Sequence, residues 1–139
     1  MSNQPVIADA GVIVGLIYER DQWNEWTRVQ AVNLPVPYLT CESVITEACY
    51  LLQNVSDGEE KVLQMIELGV LQVSFSLSAE VKAVKALMKK YSNVPMSLAD
   101  ACLVRMSEAI KDSFIFTTDS DFHIYRKHGK KKIDLIIPG

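Results

Sequence analysis

"SFIFTTDSDF", residues 113–122, decides how the rest of the chain is read. Phe114, Ile115 and Phe116, followed by Thr117 and Thr118, make an apolar run too short for a helix. It has the character of a strand buried on both faces. The run surfaces on two carboxylates, Asp119 and Asp121. In a continuing strand both would point the same way, but "DSDFHIYRK" loses the apolar, β-branched character, so a turn or short helix is expected from Asp119 onward. Either acid then has a plain structural use as the cap of that helix. The alternative is a site, because ligands gather beyond the carboxyl ends of strands in open parallel sheets.

"PVIADAG", residues 5–11, repeats the arrangement: a short apolar strand that stops at Asp9 and Gly11. No G-x-G-x-x-G follows, which argues against a dinucleotide site. Gly11 and Gly15 suit close packing. Helices are expected over "GVIVGLIY" (11–18) and "DQWNEWTRVQAVN" (21–33), and the two prolines keep "LPVPYLT" (34–40) extended. Thr40 is the candidate cap of "CESVITEACYLLQN" (41–54), whose apolar face carries Val44, Ile45, Ala48, Leu51 and Leu52.

Asp57 and Glu60 have capping-box spacing before "GEEKVLQMIELG" (58–69), where Gly69 is the stop. "VLQVSFS" (70–76) alternates as a strand. Ser78 is expected to cap "AEVKAVKALMKKY" (79–91), and Ser97 the mostly apolar helix within 96–112; "KIDLIIP" (132–138) is a last strand. Strands separated by helices give an α/β fold, with a mainly parallel central sheet covered by helices on both faces.

The chain of 139 residues suits a single domain over 1–139 and is long enough for a proper core. Hydrophobic residues make up 49% and charged residues 22%, the balance of a soluble globular protein rather than a disordered one. The run from Val12 to Ile17 is too short to span a bilayer and lacks the features of a signal peptide, so a cytoplasmic location is expected. Cys41 and Cys49, about 12 Å apart along one helix, cannot bridge. With Cys102 they read as small buried residues of a reducing compartment, and His123 and His128 complete no zinc spacing. A net charge of −3 does not announce a nucleic-acid binder. The basic run "RKHGKKK", 126–132, is the exception, and reads as a solvated loop or, beside a phosphate-handling site, as a contact surface.

Two further acids stand at apolar margins. Glu47 lies about 40° from Leu51 and about 60° from Val44 around its helix, and Asp100 falls among the apolar residues that follow Ser97. Ionised acids in such places cost free energy unless paired or liganded. Each has a bland alternative: Asp9 as a helix cap, Asp100 completing an S-x-x-D capping box with Ser97, and Glu47 paired with Arg105. Together they would be four separate accidents.

"VIADAGVIVGLIYERD", "SVITEACYLL", "SLADACLV" and "FIFTTDSDF", in this order over nearly the whole chain, resemble a PIN domain, most of all the VapC-type ribonucleases of bacterial toxin–antitoxin pairs. The resemblance puts the family's acidic quartet on Asp9, Glu47, Asp100 and Asp119, and its motif threonine on Thr117. Many relatives carry a hydroxyl or Asn two residues after the first acid, where this chain has Gly11. The fold implied is a PIN-like three-layer sandwich around about five strands.

The activity implied is Mg²⁺- or Mn²⁺-dependent endoribonuclease cleavage of single-stranded or looped RNA, since oxygen-only ligands suit these ions. Asp9, Asp100 and Asp119 are the implied metal ligands; Glu47 ligates or helps deprotonate the attacking water, and Asp121 orients the ligands. Lys130, Lys131 and Lys132 are candidate phosphate contacts. Relatives pair as homodimers and bind antitoxins. Trp23 and Trp26, one helical turn apart, fit core or interface. Two rival readings remain. A phosphorylated receiver domain needs an acidic pair after the first strand and an Asp after the central one, and neither is present. A catalytically inactive PIN-fold scaffold that binds RNA or protein requires no metal at the acids.

Overall fold

The computed structural model describes residues 4–139. Strand β1 (Val6–Ala8) leads into helix α1 (Ala10–Ile17), then α2 (Asn24–Val32), β2 (Tyr38–Thr40), α3 (Glu42–Leu51) and α4 (Gly58–Glu67). Next come β3 (Leu71–Val73), α5 (Leu77–Lys90), α6 (Leu98–Ala109) and β4 (Phe114–Phe116). A 3₁₀ turn (Ser120–His123), a small ribbon of β5 (Arg126–Lys127) and β6 (Lys131–Lys132), and β7 (Leu135–Ile136) complete the described order.

The main sheet runs β3-β2-β1-β4-β7, all parallel, with helices covering it. The central strand is apolar throughout because neither of its faces meets water: Val6, Ile7 and Ala8 are all buried. Its register against β4 pairs Val6 with Phe114 and Ala8 with Phe116, and Asp9 N–H donates to Phe116 O at 3.0 Å. Asp9 and Thr117 therefore leave the sheet side by side. One core joins the sheet to Val12, Ile13, Val44, Ala48, Leu103 and Val104 of the helices, and Trp26 packs its ring against Phe116 at 5.8 Å. Among the described residues no helix is long and apolar enough to cross a membrane.

Two expected caps fall elsewhere, and a third keeps its position without its side-chain bond. Thr40 does not cap α3; its hydroxyl donates to Ala8 O at 2.9 Å, tying β2 to β1, and Cys41 takes the cap position without a side-chain bond. Asp57 stands at the start of α4, but in the left-handed region (φ 57°) and with no side-chain bond, so the box with Glu60 does not form. Ser76, rather than Ser78, accepts from Ala79 N–H to cap α5. Each strand of the main sheet keeps at most three residues, shorter than the apolar runs suggested. Leu51 is 51% exposed, off the buried face of α3, while Val44, Ala48 and Leu52 hold that face.

The basic run is a ribbon rather than a loose loop. Arg126 and Lys127 pair antiparallel with Lys132 and Lys131, across a tip where His128 and Gly129 both have positive φ. The Arg126 guanidinium turns back onto the carbonyls of His123, Ile124 and Tyr125. Lys90 Nζ donates to Gly129 O at 2.7 Å, and His128 N–H donates to Glu108. Lys130, Lys131 and Lys132 remain exposed.

Candidate functional site: an acidic mouth at the ends of β1 and β4

Asp9 is 6% exposed, and its two carboxylate oxygens have separate work. Oδ1 accepts from Ala10 N–H at 2.7 Å, capping α1, and Oδ2 accepts from Thr117 Oγ1 at 2.6 Å. The cap and the site are thus the same group. Burial pushes the Asp9 pKa up to about 7; the Thr117 and Ala10 bonds pull against this, while the charges of Asp100 and Glu47 add to it.

Thr117 follows β4 and is itself buried. Its oxygen also accepts from Asp119 N–H at 3.0 Å, so one hydroxyl fixes both the first acid and the turn that carries the last. Asp119 does cap the 3₁₀ turn, accepting from Asp121 N–H at 2.9 Å through Oδ1. Of the two acids that could cap this turn, it is Asp119 that does. The chain bends there, as the loss of strand character required.

Asp100 lies in the first turn of α6, where Ser97 Oγ accepts its backbone N–H at 3.0 Å. Its carboxylate Oδ2 accepts from Tyr125 OH at 2.9 Å. Burial raises the Asp100 pKa, Asp119 raises it further, and the bonds from Tyr125 and Ser97 oppose the rise. Tyr125 is pushed up in turn by its own burial and by the charge of Asp100. Glu47, on α3, is exposed at the mouth and does not pair with Arg105, which binds Glu80 at 2.7 Å and Glu108 at 3.2 Å instead. Partial burial raises the Glu47 pKa, and so do Asp100 and Asp119.

The four acids therefore share one field. Asp9 feels Glu47 and Asp100, and both Glu47 and Asp100 feel Asp119. The charge of Asp121 is felt at Tyr125, one step removed from the cluster. Among the described residues neither ion pair involves the four acids. Nor do any three Asp, Glu, His or Cys side chains there already converge as a metal cage.

Gly11 stands against β4's exit. A Cβ at Gly11 would collide with Thr118 Oγ1, so the opposing strand supplies a hydroxyl where Gly11 has no side chain. Cys41 and Cys102 are buried free thiols, as expected, whereas Cys49 is half-buried. Tyr125 is the site residue that sequence reasoning missed. Its signal was weak but present: Phe122 and Tyr125 are three apart, and a buried tyrosine hydroxyl needs a partner. Comparison of the chain with protein-family models and with curated proteins finds no match.

Proposed function

We propose that the chain is a divalent-metal-dependent endoribonuclease of the PIN type, hydrolysing phosphodiester bonds in RNA as the cytoplasmic toxin of a toxin–antitoxin pair. The observation that supports this best is the shared field of Asp9, Glu47, Asp100 and Asp119, three of them with raised pKa values. Uncompensated acids at partly buried positions are costly, and an all-oxygen donor set fits a hard Mg²⁺ or Mn²⁺. Asp9, Asp100 and Asp119 would hold the ion. When bound, it would offset the negative field, lower the pKa of water and steady charge on the phosphoryl oxygens.

The chain's own groups do the rest. Thr117 and the start of α1 fix Asp9, and Tyr125 fixes Asp100. Glu47 takes the proton of the attacking water, for which a raised pKa makes it a better base than an ordinary carboxylate. The water oxygen bonds to phosphorus, the ester P–O bond opens, and the leaving oxygen takes a proton from solvent. Asp121 steadies the turn beside Asp119, and the exposed Lys130, Lys131 and Lys132 meet phosphates further along the strand. A homodimer held by a protein antitoxin belongs to the same reading: Val29 and Val32 about α2, and Leu63 and Leu68 about α4, are exposed.

The test is cleavage of RNA with Mg²⁺ or Mn²⁺, abolished by EDTA and by Asp9→Asn with the circular dichroism spectrum retained. Undiminished cleavage in excess EDTA overturns the reading. A second reading, an inactive scaffold of the same fold, draws on the fact that the four acids do not already close into a cage. RNA binding without metal, indifferent to Asp9→Asn and without cleavage, is its signature. Light scattering that gives a monomer mass at high concentration removes the dimer.

A further inference from the structure

Beside the acids lies a hollow of about 500 Å³ lined by Thr46, Glu47 and Tyr50 of α3, and by Ser97, Leu98 and Ala99 at the start of α6. Glu47 belongs to both the hollow and the acidic cluster, and Ala99 precedes Asp100 in the chain. The hollow thus shares Glu47 with the mouth. Tyr50 is 68% exposed, and its hydroxyl has no hydrogen bond among the described residues. Leu98 is also exposed.

Charge restricts what fits. No Lys or Arg lines the hollow, and Glu47 adds negative charge, so an anionic group is disfavoured there. A neutral, flat group with hydrogen-bonding edges is favoured: it gains ring and methyl contact from Tyr50 and Leu98, and Thr46 offers a hydroxyl that both donates and accepts. Unpaired nucleobases have this chemistry, since every base has a face that stacks on an aromatic side chain.

We infer that this hollow is a nucleobase subsite, in which Tyr50 stacks an unpaired base adjacent to the phosphate handled by the acids. The inference rests on the ribonuclease reading and deepens it. A base held on α3 and α6 sets the phosphate against Glu47 and Asp100, which those same helices carry. It also gives a reason for single-stranded substrate: a base inside a duplex cannot leave its stack to reach Tyr50.

The experiment compares a short single-stranded RNA with the same oligonucleotide carrying one abasic nucleotide next to the cleaved bond, using wild type, Tyr50→Ala and Tyr50→Phe. Wild type should lose about tenfold or more in kcat/KM on the abasic substrate. Tyr50→Ala should lose a similar factor on the intact RNA and nothing further on the abasic one, while Tyr50→Phe keeps most of the wild-type rate. Tyr50 is exposed, so these changes leave the core alone. If wild type cleaves RNA but Tyr50→Ala loses equally on both substrates, or loses nothing, the subsite is wrong and the nuclease stands. If wild type cleaves neither oligonucleotide with Mg²⁺ or Mn²⁺, both fall.

Discussion

Thr117 Oγ1 donates to Asp9 Oδ2 across 2.6 Å, joining two residues that leave neighbouring parallel strands at the same level of the sheet. A hydroxyl has one proton, and here it is spent on the carboxylate. Thr117→Val keeps the shape and removes the donor, so the Asp9 pKa should climb further. We expect Mn²⁺ affinity to fall about 10- to 100-fold, the usual cost of losing a ligand's supporting bond. Isothermal titration at pH 7 measures it; an unchanged affinity would mean that Asp9 needs no such support.

Asp9 also makes stability depend on pH. Its folded pKa of about 7 lies above its ordinary value of 3.8, so its contribution is fully present below pH 3.8 and is lost as pH rises through 7. The raised pKa values of Glu47 and Asp100 act in the same direction. Metal-free protein should therefore be less stable at pH 8 than at pH 5, with the Asp9 share of that difference on the order of 3 kcal/mol. Asp9→Asn should flatten this slope and raise Tm at pH 8 while abolishing cleavage. Added Mg²⁺ should recover stability at pH 8 in wild type. Urea melts across this pH range decide it, and a slope of opposite sign refutes the assignment.

Asp119 and Asp121 separate by charge rather than by backbone role. Asp119→Asn keeps an acceptor for Asp121 N–H but removes the charge felt by Glu47 and Asp100. It should cripple metal binding and cleavage, while Asp121→Asn costs less, within about 10- to 100-fold. Should Asp121→Asn prove the more damaging, Asp119 is only a cap.

Tyr125→Phe removes the hydroxyl that holds Asp100 Oδ2. The Asp100 pKa should rise, moving the acid limb of the kcat/KM profile to higher pH, with about 1 kcal/mol lost from stability. A pH–rate profile that superimposes on wild type would show that Tyr125 serves packing alone.

Gly11→Ala should destabilise the fold by about 1–3 kcal/mol through overpacking against Thr118 Oγ1. Thr118→Ala in the same chain removes that oxygen, leaving the Cβ of residue 118 at an ordinary 3.7 Å, and should restore most of the loss. Thermal melts of the two single variants and the double variant test the coupling.

The α/β layout was legible because "VIA" and "FIF" are apolar without alternation, a pattern that few arrangements other than a buried parallel strand satisfy. The four acids were legible for a related reason: each interrupts an apolar margin. What failed was local. Thr40 and Ser78 look like caps, but the cap position of α3 falls one residue after Thr40, whose hydroxyl is taken by Ala8 O across the sheet, and that of α5 falls two residues before Ser78, where Ser76 caps it. The basic ribbon escaped notice because its pairing depends on His128 and Gly129 at its tip, not on hydrophobic alternation. Tyr125 was hidden because its partner, Asp100, is 25 residues away and on another element.

The strand order has a consequence for the time course of synthesis. The central strand β1 is made first among the described strands, yet its neighbour β4 follows only after α6, and the bond from Thr117 to Asp9 spans 108 residues. A growing chain emerges N-terminus first. Asp9 and Glu47 are therefore made long before Thr117, and until β4 follows one flank of β1 is unpaired and the first acid lacks its hydroxyl. Closure of so long a loop comes late and slowly. The acidic mouth is thus complete only once β4 and the turn after it have joined β1.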